Sequence, residues 1–435
     1  MKRELGNFEN ALVAADRHAP FHSVHVLRIE SPPPPQMLTQ ALKFMQNRHP
    51  FLRARLLKEK GRYHVANLAD PVLPCRVLPR WNDNHWIKVT EVELGTRIEL
   101  GADPLFRCIY LFNANQKYAE IILTFFHSIV DDASAVHLFD ELLTACASLT
   151  DLGAVTITEL PLTPAQESRF PSVFQGISLA MKKLRYLLQQ TADEISYIYR
   201  ARAVRIPPVH KKPSRGCILT VRFPAEFVEK LKHRSRLEQV TLDALLQAAM
   251  LIAVNRRLYA GKSTPMRTFS FWDMRPFVKP PLGDENLACY LSMLRHTLLV
   301  EGGSDPWQLA RQVQNKFYRS LKAGDHFIAA ALAYSFLQSV TRTKSVRMGA
   351  AALIFNGETQ FKPKYGETVV SDIHSFISPY DLGPEWSGQA RFFNDQLVCD
   401  FAHLEADLSA GEARMIAEEI GGVLKSALSQ PPARI

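Results

Sequence analysis

The chain has 435 residues, a net charge of +9, and 47% apolar against 22% charged residues. That length exceeds what one hydrophobic core usually supports, so two domains are expected, and the balance excludes a disordered or fibrous chain. No stretch approaches the roughly 18–20 apolar residues of a membrane span; residues 244–254 and 328–337 come nearest and read as buried helices.

Along the chain, a strand is predicted at 21–30, closed by Ser31 and a run of prolines, then an amphipathic helix at 36–48. Strand-like pieces follow at 51–57 and 62–65, then a helix at 85–99. Two strands, 106–113 and 118–126, flank the polar turn 113–117 and lead into a helix at 133–149. Residues 150–213 are rich in proline around one helix at 177–200. The second half resumes with strands at 217–223, 266–272 and 287–300, and Pro224 opens a helix at its first turn. Helices are predicted at 242–259, 306–322 and 326–341, strands at 348–356, 367–376, 388–393 and 396–403, and a final helix at 409–429. Asn394-Asp395 between two apolar runs is a hairpin signal. The fold class is therefore mixed α/β, with domains at 1–160 and 214–435 joined by a connection at 161–213.

The six cysteines are scattered without a CxxC, as reduced core cysteines are. Residues 1–12 carry charges and no apolar run, so no secretory signal is expected, and a cytoplasmic protein fits best. Between Arg200 and Arg236 there are eleven Lys or Arg against Glu226 and Glu229. This block reads as a solvated helix face, a basic linker, or a surface for an anionic partner such as a phosphorylated cofactor or an acidic carrier protein. Nucleic acid is not expected, because no nucleic-acid motif is present and no aromatic residues interleave with the basic ones.

Several chemistries find no motif: there is no GxGxxG opening a helix, no GxxxxGK[ST], no HExxH and no GxSxG. His18, His22 and His25 are the one histidine cluster. Residues 22 and 25 on a strand point to opposite faces, so no shared metal is expected there. The pair His127 and Asp131 is more informative. An apolar β-branched run delivers His127 where a strand ends, and a carboxylate follows four residues later, just before a helix. Histidine can take up and return a proton near neutral pH, which suits such a place to general acid–base work. The bland reading is a strand-end histidine satisfied by a nearby carbonyl.

The segment Phe126-His127-Ser128-Ile129-Val130-Asp131-Asp132 resembles the HHxxxDG motif of the CoA-dependent acyltransferase superfamily, which includes condensation domains, alcohol acyltransferases, wax-ester synthases and polyketide-associated mycocerosyl transferases. Further markers stand in the family's order. Arg48-His49-Pro50-Phe51-Leu52-Arg53 is similar to its RHPxLR turn. Asp273-Met274-Arg275-Pro276, with Ala288-Cys289-Tyr290-Leu291-Ser292, is similar to its DxRP and GxYxS blocks. Ile354-Phe355-Asn356-Gly357 resembles its SNxG strand end.

The resemblance implies two chloramphenicol-acetyltransferase-like domains meeting in a V, with His127 in a central channel. It implies acyl transfer from an acyl-CoA or acyl carrier protein thioester to an alcohol, lipid- or polyketide-like acceptors included, with His127 as the general base. CoA or phosphopantetheine enters as the donor substrate, and no cofactor is held permanently. Asp131 would point away from the channel and pair with Arg275 of the second domain, holding the histidine loop in shape. Ser128, Asp132 and Asn356 become substrate-proximal positions.

Two departures stand out. Phe126 replaces the family's first histidine, a variable position, and Asp132 replaces the glycine after the motif aspartate. Asp132 either caps the helix beginning at Ala133 or faces the channel, where it would repel an anionic donor or position an amine or hydroxyl. Amide formation on an amine, and a non-catalytic member that docks a carrier protein, are the alternative functions.

Overall fold

A computed structural model describes residues 2–68, 70–152, 158–200, 214–283, 285–343 and 347–431. Strands are β1 (Lys2–Glu4), β2 (His22–Glu30), β3 (Ala54–Glu59), β4 (Arg62–Asn67), β5 (Cys75–Pro79), β6 (Phe106–Phe112), β7 (Tyr118–Phe126), β8 (Gly216–Phe223), β9 (Thr264–Asp273), β10 (Leu291–Val300), β11 (Ala351–Glu358), β12 (Val369–Ile377), β13 (Trp386–Phe393) and β14 (Gln396–Leu404). Helices are α1 (Asn7–His18), α2 (Pro35–Arg48), α3 (His85–Gly95), α4 (Asp132–Leu152), α5 (Gly176–Arg200), α6 (Ala225–Leu237), α7 (Leu242–Leu258), α8 (Pro306–Ala323), α9 (Asp325–Thr343) and α10 (Ala410–Ser429).

These elements form two compact units that interleave in sequence. The first holds Met1–Phe170, Met274–Leu291 and Glu358–Ser378; the second holds Pro171–Asp273, Ser292–Gly357 and Pro379–Ile435. The contiguous boundaries expected at 160 and 213 differ from this division, because two segments of the later chain pack into the first unit. The clearest case is β12, which pairs antiparallel with β2 from Val369 opposite Glu30 to Ile377 opposite Ser23. Backbone hydrogen bonding, which no local pattern encodes, decides that membership.

In the first unit, one sheet has the order β12-β2-β7-β6-β5, antiparallel except for the parallel β5/β6 pair, and a smaller sheet has the order β1-β4-β3. β7 lies at the centre, with all residues after Tyr118 buried. A run of Ile, Leu and Phe covered on both faces suits a central strand. α3 packs against β2 and β7, and α4 packs against α2. The strand expected at 51–57 begins instead as a 3-10 turn, Pro50–Arg53, before β3. Neither α1 nor β5 is expected from the sequence pattern. α1 buries only a few apolar residues, and its first turn is held by Glu167, whose Oε1 accepts the Phe8 N–H at 2.9 Å.

In the second unit a six-stranded sheet has the order β10-β9-β11-β13-β14-β8. α7 is buried without interruption from Ala244 to Asn255, between α8, α10 and the sheet, so the apolar run at 244–254 is a core helix. The β13–β14 hairpin closes at Asn394-Asp395, with φ of 48° and 60° and Phe393 opposite Gln396. A type I′ turn needs positive φ at both central positions, and Asn and Asp tolerate it. Among the described residues no single helix is long and apolar enough to cross a membrane, and all six cysteines are free.

Candidate active site

The centre of the first sheet places His127. β7 is hydrogen-bonded to β2 on one side and β6 on the other, so the chain leaves Phe126 from a fixed point. A tight turn follows, with the Ile129 N–H on the Phe126 carbonyl at 3.1 Å, and α4 starts at Asp132. His127 is 6% exposed. Its Nδ1 lies 3.2 Å from the Val130 carbonyl oxygen, and Phe21 packs against the ring at a centroid distance of 5.7 Å. A carbonyl only accepts, so Nδ1 carries the hydrogen and the neutral ring keeps its lone pair on Nε2. Burial pushes the ring's pKa down to about 4, against the opposing Val130 hydrogen bond.

Asp131 pairs with Arg275. Its two carboxylate oxygens accept from the two terminal nitrogens of Arg275 at 2.8 and 2.9 Å, and both side chains are buried. The carboxylate also accepts the backbone N–H of Ser134 and of Tyr290, each at 3.0 Å. Four donors thus satisfy one buried carboxylate. Burial pushes its pKa up, but the Arg275 charge and these hydrogen bonds outweigh burial and hold it below the usual value. Arg275 reaches Ser134 Oγ at 2.7 Å as well, and the Asp131 N–H binds the Ala288 carbonyl at 3.1 Å. The Asp-Met-Arg-Pro and Tyr-Leu-Ser blocks therefore converge on the turn that presents His127. Arg275 does so from within the first unit, not from a second domain.

The Ser134 bond also identifies the helix cap. Asp131 precedes α4 and binds the backbone N–H three residues on, so Asp131 is the N-cap. The expectation that Asp132 caps a helix beginning at Ala133 is thereby corrected: the helix starts one residue earlier, and Asp132 occupies its first turn. Asp132 Oδ1 lies 3.5 Å from His25 Nδ1, which in turn is 2.9 Å from Ser375 Oγ on β12. Ser128 is buried beside His127, and its hydroxyl finds no hydrogen-bond partner among the described residues.

Asn356 belongs to the second unit, where its amide donates to Gln389 Oε1 at 2.9 Å. The adjoining Gly357 has φ of 67°, a left-handed conformation that favours glycine. Arg48 and His49, the start of the RHPxLR-like turn, both contact the Glu141 carboxylate on α4. Burial raises the Glu141 pKa, but hydrogen bonds from His137 and His49 and the Arg48 charge bring it well below the usual range. Glu141 was not singled out from sequence, although its place three turns into a helix after a histidine loop offered a signal. The effect is to clamp α2 to α4, the helix that anchors the His127 turn.

His22 and His25 take separate partners, His22 Nδ1 lying 3.4 Å from the Glu93 carbonyl. Among the described residues no cluster of His, Cys, Asp and Glu is suited to a metal. Of the basic block 200–236, residues 201–213 lie outside the described residues. On α6 three of its charges are engaged locally, Lys230 with Glu226, Lys232 with Glu229 and Arg234 with Glu238.

Residues 218–354 match the family model described as phthiocerol/phthiodiolone dimycocerosyl transferase C-terminus. The whole fold is similar to that of polyketide synthase associated protein 5 from Mycobacterium tuberculosis, at TM-score 0.71 and 15% identity over 98% of each chain. It is similar to trichothecene 15-O-acetyltransferase from Fusarium sporotrichioides, at TM-score 0.77 and 11% identity over 97% of this chain and 95% of that one. The first condensation domain of the calcium-dependent antibiotic synthetase gives TM-score 0.73 and 14% identity over 100% of this chain and 97% of that one. No curated protein sequence matches the chain. The chain thus shares its fold with these acyltransferase and condensation-domain structures, as its motifs led one to expect.

Proposed function

We propose that this chain is an acyltransferase that moves an acyl group from a CoA or carrier-bound phosphopantetheine thioester to a hydroxyl, with His127 as general base. The observation that carries the reading is the hydrogen bond from His127 Nδ1 to the Val130 carbonyl. It leaves Nε2 as a proton acceptor on a ring that burial keeps neutral at physiological pH. A thioester carbonyl is electrophilic, while a neutral alcohol is a poor nucleophile. Nε2 takes the hydroxyl proton as the oxygen attacks the carbonyl carbon, and a tetrahedral oxyanion forms. The carbon–sulfur bond then breaks, and the imidazolium returns its proton to the departing thiolate. Ester and free thiol result without an acyl-enzyme, so no separate nucleophile is required.

Asp131 and Arg275 act in this reading as a brace. Their two-point ion pair, with the Ser134 and Tyr290 amides, holds the turn on which the histidine must be positioned. Ser128 and Asp132, which flank the His127 turn in the first unit, are proposed as substrate-proximal. Amide formation is a second reading, favoured by the likeness to a condensation domain; an amine acceptor would use the same base. A carrier-docking member without turnover is disfavoured, since docking needs neither the presented histidine nor its satisfied turn.

The test is turnover by the purified chain and by His127→Ala, with acyl-CoA or acyl carrier protein as donor and alcohols or amines as acceptors. Free thiol and acylated product are followed together. Acceptor-dependent thiol release by the wild type, lost in His127→Ala, is expected. Its absence with every donor, from a protein that melts cooperatively, would remove the enzymatic reading. The ratio of ester to amide decides between the two acceptor classes.

A further inference from the structure

The first unit carries a pair of thiols that the proposed reaction does not use. β5 and β6 run parallel, and their register sets Cys75 directly beside Cys108. Neighbouring strands lie roughly 4.8 Å apart, inside the span of about 4.4–6.8 Å between Cα atoms that a disulfide bridges. Strand side chains alternate between faces, so register partners share one. Here it is the face beneath α2. A hydrogen bond links Cys75 to Thr39 of that helix, and Tyr110, two residues beyond Cys108, donates to the Pro33 carbonyl just before it at 2.8 Å. The two thiols are hydrogen-bonded to each other.

The two sulfurs are not equivalent. Cys75 stands on the edge strand of its sheet and is partly exposed, whereas Cys108 is buried. The hydrogen bond from Cys108 outweighs burial at Cys75 and holds that thiol below its usual range; the same bond, with burial, pushes Cys108 well above it. Cys146, the cysteine of α4, is pushed up to about 12 by burial. The thiolate is the nucleophile, so an oxidant reacts at Cys75 first, with the Cys108 sulfur already in contact to resolve the product. An accessible, acidified thiol beside a second thiol is the arrangement of a redox-responsive pair.

We propose that Cys75 and Cys108 form a peroxide-responsive dithiol, Cys75 attacking and Cys108 resolving, that closes to a disulfide between β5 and β6. The Cys75 thiolate attacks one oxygen of hydrogen peroxide, the O–O bond breaks and hydroxide leaves, giving a sulfenic acid. The Cys108 sulfur then attacks the Cys75 sulfur. The S–S bond forms, the S–O bond breaks, and the hydroxyl departs as water with the Cys108 proton. The earlier hydroxide takes up the proton that Cys75 had lost, so two thiols are oxidised and one peroxide is reduced to two waters. The bond ties the edge strand to the neighbour of β7, and it does not depend on the acyl-transfer reading.

The test treats the reduced full chain with a small excess of hydrogen peroxide at pH 7, alkylates the thiols that remain, and reads intact mass and linked peptides. The expected result is a fall from six free thiols to four, two being consumed, with one link joining Cys75 to Cys108. Dithiothreitol should restore all six. In Cys108→Ala, Cys75 should stop at the sulfenic acid and be trapped by dimedone; in Cys75→Ser, oxidation of Cys108 should slow at least tenfold. The wild-type link is read without any substitution, so a variant that folds poorly does not decide the outcome. Six thiols surviving a peroxide dose that fully oxidises free glutathione overturn the proposal. So does a link from Cys75 to Cys146, or one between two chains.

Discussion

Asp131 and Arg275 are 144 residues apart in the chain and meet as a two-point ion pair at 2.8 and 2.9 Å, both buried. The planar guanidinium fits the carboxylate edge to edge, and the remaining capacity of the carboxylate is filled by two backbone amides. Such a pair is not strong evidence for net stability, because desolvation offsets much of the attraction. Breaking it is another matter.

Arg275→Ala leaves the Asp131 charge buried with two amide donors and no counter-ion, and a loss of about 3–5 kcal/mol is expected. Asp131→Asn keeps an N-cap side chain for α4 but strands the guanidinium, so a smaller loss is expected. Urea denaturation measures both. The pH dependence follows from the direction of the shift: the Asp131 carboxyl titrates below its ordinary 3.8 in the folded state. Its contribution is therefore present above that value and lost as pH falls through the lower, folded one. The Tm gap between wild type and Asp131→Asn should be constant from pH 7 to 5 and close in stronger acid.

The ring of His127 gives a second prediction. With its pKa lowered from 6.5 to about 4 by burial, the ring stays in the accepting form across the neutral range when no substrate is bound. The acid limb of kcat/KM, which reports free-enzyme groups, should be flat between pH 7.5 and 5.5. A histidine with its ordinary pKa would instead halve the rate near pH 6.5. His127→Ala should lower turnover by about 10²–10⁴-fold while leaving Tm within a degree or two of wild type, because the ring's one hydrogen bond lies within its own turn.

Legibility in the sequence follows the range of the interactions. The β6–β7 pair and the Asn394-Asp395 hairpin are readable because alternation, apolar runs and turn residues are local signals. So is the spacing of His127 and Asp131. What Asp131 does is not local: two adjacent aspartates are equally good caps by type, and only the fold assigns the cap to the first and leaves the second beside His25. The strand expected from 287 begins at Leu291 because the backbone before it serves other partners, the Ala288 carbonyl binding Asp131 and the Tyr290 carbonyl binding Met274. The role of Glu141 likewise needs the α2–α4 contact, and β12 needs its pairing with β2. α1 escapes notice since the residue that holds its first turn, Glu167, is 159 positions away.

Glu167 itself supports a third prediction. Burial raises its pKa from 4.5 to about 7, with the nearby Glu9 adding to the rise. A carboxyl held protonated in the folded state contributes stability fully below pH 4.5, and that contribution is lost as pH rises through about 7. Glu167→Gln keeps an acceptor for the Phe8 N–H without the titration. It should match wild type near pH 5 and melt higher at pH 8. Equal melting temperatures at both pH values would show that the carboxyl ionises freely in the fold.

Asp132 tests whether a departure from the family pattern lies in the chemistry or in the scaffold. Its carboxylate sits in the first turn of α4, where a negative charge meets the helix dipole, a contribution of roughly 0.3–1 kcal/mol. It also lies 3.5 Å from His25 Nδ1, directed toward β2. Asp132→Gly removes both effects and adds the backbone entropy of glycine, about 0.5–1 kcal/mol. The expected outcome is a loss of about 1–2 kcal/mol in urea, with turnover within a few-fold of wild type, since the Asp131 cap, the Arg275 pair and the Val130 hydrogen bond all remain. Asp132→Asn keeps the side chain's bulk and should show roughly half that loss. Turnover falling as far as in His127→Ala, at unchanged stability, would instead put the carboxylate among the reacting groups.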